Sequence, residues 1–526
     1  MQNFNKLVDD ILEFMWKSMP VEATFAGIHK YDHELGKFDR DALTDINTKM
    51  KSYVDELEKI DTSTLTANER MDHTILSNTL KVQTKSFDEI RMWEKNPSTY
   101  VDNPLYGVFI LAIREFAPLN ERMESILARL EKIPKVIEEG KKNLKNSPAI
   151  YTQVAIESIQ GGIQFFDKFI PLIAEKVPKL KDAIIKATNN AKDSFEAYGK
   201  FLENEWLPKS TGDFAIGKGL FDYKLKVEHI LPYNSEDLLE IGDDLLHSTK
   251  VELEILAKEI NPSKAWWEII EELKNEHPKP ANILDTYRKE MNRARQFVIE
   301  KNLVTIPTDE ELDVIPTPEF ERPIIPYAAY MPPAPFEEQQ KGFFYVTPSD
   351  KKEQLRGHSI YKIPVTALHE GYPGHHLQFL HANRVDSKVR KLFGTSVFIE
   401  GWALYCEEMM YDLGYYRDPR VRLMQLKDRI WRACRVIIDV NLHTKRMTYG
   451  EAIDFLVKEA KLERPNAIAE VKRYTRSPTQ PMSYAIGKKQ IMSLKDEYKD
   501  GLKEFHDKLL SFGSIPVALI KERMIG

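Results

Sequence analysis

The densest group of metal-binding residue types in the chain is the segment His369-Glu370-Gly371-Tyr372-Pro373-Gly374-His375-His376. A helical zinc site usually has the pattern H-E-x-x-H. In that pattern two histidines one turn apart bind one ion, and the glutamate beside the first histidine activates a water molecule. Position 373, where the pattern places its second histidine, is a proline in this chain. The segment therefore predicts a metal site whose second histidine comes late.

Helix geometry ranks the two late histidines. On an unbroken helix His369 and His375 would lie ~240° apart around the axis and ~9 Å apart along it, too far to share one ion. The glycines and the proline between them are poor helix formers, so we expect the helix to break and two residues to bulge out. His375 would then occupy the place of the usual second histidine. His376 shares the helical face of His369 but lies ~10.5 Å away along an unbroken helix, so it is the second choice.

A carboxylate on a second predicted helix can complete the site. The run from Phe398 to Glu408 is mostly apolar and aromatic, and Glu400 and Glu407 fall on one helical face within it. Burying a carboxylate there is costly unless it is paired or metal-bound. Two histidines and one glutamate form a known catalytic zinc set that leaves a position for water. We therefore predict Glu400 as the third ligand and Glu407 as a supporting carboxylate, with a surface role for Glu400 as the alternative.

A third predicted helix carries Arg435, Asp439 and His443, spaced four residues apart among apolar neighbours. This spacing puts the three side chains in one stripe. Metal ligands need outer partners that fix their orientation. We expect the stripe to orient the ligands or to hold a substrate carboxylate, and the alternative is an ordinary ladder of helical ion pairs.

The polar and aromatic segment 473–488 precedes and opens another predicted helix. Loops of this kind often carry catalytic groups. A tyrosine hydroxyl or an arginine in it could stabilise the negative oxygen that forms when water attacks a carbonyl. Tyr484 and Arg473 are the candidates, and a tyrosine packed in the core is the alternative.

Together these motifs resemble a large prokaryotic family known as domain of unknown function 885. The likeness covers nearly the whole chain and is carried by HEGYPGHHLQ at 369–378, EGWALY at 400–405, the Arg435–His443 helix, Tyr474, Pro478, Gln480, Tyr484, Gly487, Trp93–Pro97 and Gly212–Gly217. That family is similar to zinc metallopeptidases of the gluzincin kind. The resemblance implies hydrolysis with Zn²⁺, and it favours Tyr484 over Arg473 as the residue that meets the oxyanion.

Composition excludes several functional classes. The chain has 526 residues, of which 42% are hydrophobic and 30% charged, with a net charge of −6 and no basic block. This balance predicts neither nucleic-acid nor membrane binding. The sequence shows no signal-peptide pattern and no apolar run long enough to span a bilayer, so we expect a cytoplasmic protein. Cys406 and Cys434, the two cysteines, are expected to be reduced and buried.

Local patterns divide the chain into three segments. Residues 1–300 are predicted to form successive amphipathic helices, and residues 351–526 form the helical part that carries the metal site. Residues 301–350 are rich in proline, which excludes long helices. Tyr327–Tyr330 and Gly342–Val346 are predicted strands there. A strand beside a zinc helix can hold an extended peptide by main-chain pairing. The alternative is a structural crossover between two helical lobes.

We therefore predict a mainly α fold, with two helical lobes around a deep cleft and a small β-sheet beside the zinc helix. The predicted mechanism has zinc on His369, His375 and Glu400, with Glu370 as general base, and the predicted partners are peptide substrates. One alternative is an amidase or esterase that acts on small metabolites with the same metal site. Another is a non-catalytic metal-binding helical protein. The sequence leaves the cleavage position, the metal used in the cell and the oligomeric state open.

Overall fold

The computed structural model describes residues 4–317, 322, 327–349 and 351–525. Two compact units divide the chain, one comprising residues 1–214 with 334–338 and the other residues 215–333 with 339–526. The fold is mainly α with one small sheet, as the sequence predicts. The predicted boundaries at residues 300 and 350 follow composition and stay a prediction.

The first unit is built from helices whose apolar residues recur at helical spacing. In the first helix Leu7, Ile11 and Leu12 are buried, and its charged residues lie on the opposite face. The helices of this unit are α1 (Phe4–Ser18), α2 (Pro20–Ala26), α3 (Arg40–Glu58), α4 (Ala67–Glu89), α5 (Met92–Lys95), α6 (Thr99–Ile113), α7 (Leu119–Asn143), α8 (Ala149–Ala174) and α9 (Lys181–Phe201).

The second unit contains every residue predicted for the functional site. Its helices before the sheet are α10 (Lys218–Val227), α11 (Ser235–Ile260), α12 (Trp266–Leu273) and α13 (Ile283–Glu300). Its helices after the sheet are α14 (Lys352–Leu355), α15 (Ile363–Glu370), α16 (His375–Ala382), α17 (Lys388–Leu392), α18 (Ser396–Asp412), α19 (Pro419–His443), α20 (Tyr449–Glu459), α21 (Arg464–Arg476), α22 (Ser483–Glu497), α23 (Leu502–Leu510) and α24 (Val517–Met524).

The small sheet lies in the proline-rich segment and consists of β1 (Glu311–Pro316), β2 (Ala328–Met331) and β3 (Lys341–Val346). The strand order is β1-β3-β2, with β1 parallel and β2 antiparallel to β3. Both sides of β3 are therefore paired, so a peptide could add only beside β1 or β2. Pro318, Pro323 and Pro326, which contribute to the proline-rich composition, lie outside the described residues.

One apolar cluster joins the sheet to the helix that carries His369. Phe344 and Val346 of β3 pack in a buried group with Ile363 and Ala367 of α15. Burying these side chains fixes α15 against the sheet because each apolar side chain removed from water contributes ~1.5–3 kcal/mol. The predicted placement of the sheet beside this helix is confirmed.

Two expectations from composition can be checked directly. Cys406 and Cys434 are free and buried. Within the ranges that the structure describes, no helix combines the length and the apolar character needed to cross a membrane.

Candidate metal centre

The helix that begins the motif breaks where the glycines and the proline stand. α15 ends at Glu370 and α16 begins at His375, and the four residues between them form a tight loop. The Gly374 N–H donates to the carbonyl oxygen of Leu368 at 3.0 Å, which folds the chain back over α15. A Cβ at Gly374 would stand 1.9 Å from the His369 carbonyl oxygen, so only glycine permits this return.

The fold-back brings His369 and His375 together. Their ring centroids are 4.8 Å apart, with the two rings perpendicular. Glu400, from α18, lies between them, with its Oε2 3.9 Å from His369 Nε2 and 3.4 Å from His375 Nε2. One ligand atom from each residue lies within 4.8 Å of the other two. We call His369, His375 and Glu400 the metal cluster.

The distances from Glu400 to the two histidines can be compared with the ligand spacing at zinc. Four-coordinate zinc with bonds of about 2.0–2.1 Å places neighbouring ligand atoms about 3.3 Å apart. The separations from Glu400 to the two histidines, 3.4 and 3.9 Å, are close to that value. A set of three protein ligands is typical of catalytic zinc sites, whereas structural zinc sites usually have four.

Glu407 holds His369 from behind. Its Oε1 lies 2.7 Å from His369 Nδ1, and its side chain is 2% exposed. A histidine that donates Nδ1–H to a carboxylate presents its other nitrogen, Nε2, to a metal. His375 has no such partner, since its Nδ1 is buried without a hydrogen bond to any described residue. The two histidines therefore differ in how firmly their rings are oriented.

The surroundings of Glu400 keep it ionised. Burial alone would raise its pKa, but the hydrogen bond and charge of His375, the charge of His369 and the hydroxyl of Tyr484 together lower the pKa to about 2. Gln480 Nε2 also approaches Glu400 Oε1 at 3.4 Å. Burial lowers the pKa of His375, and Glu400 outweighs that effect and raises it. The negative charge is thus in place before any ion binds.

Close contact between α18 and α22 places Tyr484 beside Glu400. Gly401 and Gly487 meet where the helices cross, and a Cβ at Gly487 would stand 1.8 Å from the Val397 carbonyl oxygen. The Arg435 guanidinium lies 4.7 Å from the centre of the Tyr484 ring, on which it stacks as a cation. Two glycines and one arginine therefore fix where the tyrosine lies relative to Glu400.

Glu370 is the last residue of α15 and is half-buried. Its charge reaches the metal cluster, because it helps raise the pKa of His375. Its carboxylate forms no hydrogen bond or ion pair with the described residues. The group therefore stands next to the cluster, outside its ligand set and with its oxygens available.

His376, the second-choice ligand, points elsewhere. Its Nε2 lies 3.2 Å from Glu310 Oε2 and its Nδ1 lies 3.0 Å from the Tyr330 hydroxyl. Glu310 also accepts from Arg295 Nε at 2.8 Å and from the Tyr372 hydroxyl. We call these five residues the Glu310 cluster. The structure places His376 in that cluster and not with His369.

The stripe on α19 contacts the segment that carries Tyr484 rather than the metal cluster. Arg435 Nε donates to the Tyr474 hydroxyl at 2.9 Å, and His443 Nε2 lies 3.0 Å from the Tyr474 carbonyl oxygen. Asp439 accepts the backbone N–H groups of Thr479 and Met482, each at 3.2 Å. The stripe therefore holds the start of α22 in place.

Arg473 contacts the metal cluster only through Gln480. Its guanidinium donates to Gln480 Oε1 at 2.6 Å and to Glu470 Oε2 at 3.0 Å. Gln480 in turn reaches Glu400, so the contact of Arg473 with the site is indirect. No local pattern marks Gln480 as a site residue, although it lies in the segment expected to carry catalytic groups. Its amide was not distinguishable there from any other polar loop residue.

A mainly helical protein with a His-His-Glu cluster at a helix break is the class that this geometry defines. The model for the family described as "Bacterial protein of unknown function (DUF885)" matches residues 20–524, and the chain belongs to this family. No curated protein sequence matches the chain.

Two solved structures share the fold. A candidate lipoprotein of unknown function from Shewanella oneidensis is 26% identical, with a TM-score of 0.83 over 100% of both chains. A candidate lipoprotein from Colwellia psychrerythraea is 18% identical, with a TM-score of 0.85 over 99% of this chain and 98% of that one. The second likeness concerns the fold alone.

Proposed function

We propose that this protein is a zinc-dependent metallohydrolase that cleaves peptides. The observation that supports the proposal is the convergence of His369, His375 and Glu400 within 4.8 Å, with the unpaired Glu370 carboxylate beside them. A purely structural zinc site closes with a fourth protein ligand and has no use for an adjacent base. A non-catalytic binding protein is therefore the weaker alternative.

Each side chain has a distinct task in this proposal. Zinc, when bound, supplies a Lewis acid that polarises a carbonyl and makes water more acidic. Glu370 accepts a proton from the attacking water and passes it to the leaving amine. Tyr484, whose hydroxyl lies against Glu400, donates to the carbonyl oxygen as negative charge develops there. Arg473 is the second candidate for that donation, and its present bonds to Gln480 and Glu470 would have to open first.

The deciding experiment is metal analysis combined with mass spectrometry of a digested peptide library. We expect one zinc per chain, removable by chelator, together with peptide cleavage that returns when zinc is restored. Panels of esters and acyl-amides run in parallel distinguish an amidase or esterase of small metabolites. Zinc content without turnover of any substrate would support the non-catalytic alternative and contradict the proposal.

The compartment is a second part of the proposal. The sequence favours the cytoplasm, whereas the structural relative from Shewanella oneidensis is described as a candidate lipoprotein, a class of protein that carries a lipid anchor. That description favours a location outside the cytoplasm for this chain as well. Fractionation of cells that make the native protein decides between the two locations.

A further inference from the structure

One face of α19 carries more buried positive charge than negative. Lys427 and Arg432 lie on this helix on either side of Trp431, and each keeps only 11% of its side-chain surface exposed. Lys362, just before α15, contributes a third cation. We call Lys362, Lys427 and Arg432 the cationic cluster. Asp428 is a buried carboxylate among them, and the buried Glu407 lies 4.0 Å from Arg432.

The partners of these cations are incomplete. Lys427 Nζ lies 3.8 Å from Asp428 Oδ1, beyond hydrogen-bond distance, and 5.3 Å from the Trp431 ring centre. Arg432 NH1 donates to the Asp428 carbonyl oxygen at 3.1 Å and lies 3.6 Å from Asp428 Oδ2, while its Nε is buried without a partner among the described residues. No side-chain hydrogen bond or ion pair is formed by Lys362 within the same part of the chain. Buried charges of one sign are costly unless a counter-charge reaches them.

Electrostatics within the cluster shows the same imbalance. Burial would raise the pKa of Asp428, but the charges of Lys362, Arg432 and Lys427 hold it well below its usual range. Burial also lowers the pKa of Lys427 to about 8, and Asp428 offsets this only in part. Asp428 and Glu407, the latter 4.0 Å from Arg432, place two negative charges against three cations. Glu463, whose charge also reaches Lys427, is paired with Lys274. A further anion would therefore be stabilised here.

The cationic cluster lies next to the metal cluster. Arg432 NH2 is 4.0 Å from Glu407 Oε1, and the same oxygen lies 2.7 Å from His369 Nδ1. Arg432 also lies 5.7 Å from the ring centre of Tyr484, whose hydroxyl contacts Glu400. Only the Glu407 side chain separates Arg432 from His369, and only the Tyr484 side chain separates it from Glu400.

We propose that Lys362, Lys427 and Arg432 form a subsite that binds a carboxylate of the substrate. The inference rests on the proposed peptidase function and deepens it, since the substrates become peptides with a free carboxylate close to the scissile bond. An extended residue spans about 3.3–3.6 Å, so a carboxylate within one or two residues of that bond has the required reach. Arginine can bind it with two parallel hydrogen bonds, and lysine adds a point charge. The carboxylate can be the C-terminus or an acidic side chain.

The test uses three forms of one peptide that the protein cleaves. The first form ends in a free carboxylate, the second ends in a carboxamide, and the third ends in a carboxamide but carries glutamate next to the scissile bond. We expect kcat/KM for one of the carboxylate forms to exceed that of the neutral form by about 10- to 100-fold, the usual effect of a hydrogen bond to a charged group. The form that shows the preference identifies the source of the carboxylate.

Variants assign the preference to these residues. In Lys427→Met and Arg432→Met we expect the ratio between the carboxylate and neutral forms to fall at least about fivefold, because each removes one of three cations. Lys461→Met is the matched control, since Lys461 lies 4.8 Å from the Trp267 ring centre and is exposed. The control should keep the wild-type ratio. If α19 does not tolerate these changes, Lys362→Met gives the same test from a half-buried position outside that helix.

Calorimetry with the same peptides separates this inference from the proposed function. If no peptide is hydrolysed, tighter binding of a carboxylate form by wild type than by Lys427→Met still supports the subsite. Equal binding and equal turnover of all three forms would overturn it, even with hydrolysis intact. A preference that survives in all three cationic-cluster variants would also overturn it. Zinc analysis of each variant shows that any change is not a loss of metal.

Discussion

His375 and His376 are neighbours in the chain but belong to two different polar clusters. In the metal cluster, one atom able to bind a metal from each residue lies within 4.8 Å of the other two, and His375 Nδ1 has no hydrogen-bond partner among the described residues. In the Glu310 cluster both nitrogens of His376 have partners, and the carboxylate is paired with an arginine. A saturated buried network stabilises the fold, whereas an unsaturated one is where a ligand is expected.

The start of α16 explains why the two histidines separate. Consecutive residues on a helix point about 100° apart, so the first residue of α16 faces α15 while the second turns toward the sheet. Gly342 of β3 makes room for it, because a Cβ there would stand 2.7 Å from His376 Nδ1. The position at which the loop ends therefore decides which histidine lies beside His369 and Glu400.

Substituting the predicted ligands should have the largest effect, because it should remove zinc only when the residue belongs to the metal cluster. We expect Glu400→Ala and His375→Ala each to lose most of the bound zinc, because two remaining ligands hold the ion far less tightly. His376→Ala is the matched control and should keep about one zinc per chain. Metal analysis after dialysis against a weak chelator gives the comparison. Full zinc in Glu400→Ala would make Glu407 the third-ligand candidate, and zinc lost only in His376→Ala would reverse the choice of histidine.

Changing Glu370 should affect catalysis without affecting either cluster. Glu370→Gln keeps the size of the side chain but cannot accept a proton, so we expect kcat to fall by about 10²–10⁴. Zinc content should stay at the wild-type level, and KM should change by no more than a few-fold. Steady-state kinetics on the best-cleaved peptide provides the measurement. Loss of zinc would instead make Glu370 a ligand, and wild-type kcat would contradict its role as the base.

Much of the site follows from local sequence rules. The break between Glu370 and His375 is predictable because glycine and proline disfavour helix, and the pairing of Glu400 with two histidines follows from ligand chemistry. Glu407 beside His369 follows from helical periodicity. These features depend on residues close in sequence or on one helix face.

The remaining features depend on contacts between distant segments. Nothing local indicates that Glu310 pairs with His376, which is 66 residues away. The α19 stripe was expected to orient ligands or hold substrate, yet Asp439 accepts backbone N–H groups 40 and 43 residues further on. Periodicity shows that a face is shared but does not name the segment that packs on it.

Tyr484 gives a smaller and more specific effect. We expect Tyr484→Phe to lower kcat by about 10²-fold, the usual effect of losing one donor to a developing oxyanion. Zinc content should be unchanged because Gln480 and both histidines still contact Glu400. The buried Tyr405 hydroxyl lies 2.8 Å from His506 Nε2, which makes Tyr405→Phe a matched control for losing a buried hydroxyl that does not contact Arg435. Equal kcat values in the two variants would argue that Tyr484 only packs.

The smallest effect concerns stability and distinguishes the Glu310 cluster from the metal cluster. Burial would raise the pKa of Glu310, but hydrogen bonds from His376, Tyr372 and Arg295 lower it to about 2. A carboxylate whose folded-state pKa is depressed stabilises the fold above its ordinary pKa of about 4.5, and that contribution disappears as the pH falls from 4.5 towards 2.

Glu310→Gln should therefore lower the free energy of unfolding by on the order of 1–3 kcal/mol at pH 6. The difference from wild type should shrink below pH 4.5, while zinc binding at neutral pH stays intact. The measurement is chemical denaturation of the metal-free variant and wild type at several pH values from about 3 to about 6. This range gives the difference in free energy of unfolding both below and above the ordinary glutamate pKa. A constant difference across that range would mean that Glu310 acts through packing and not through its charge. Zinc lost in Glu310→Gln would show that the two clusters depend on each other, although one is closed and the other open.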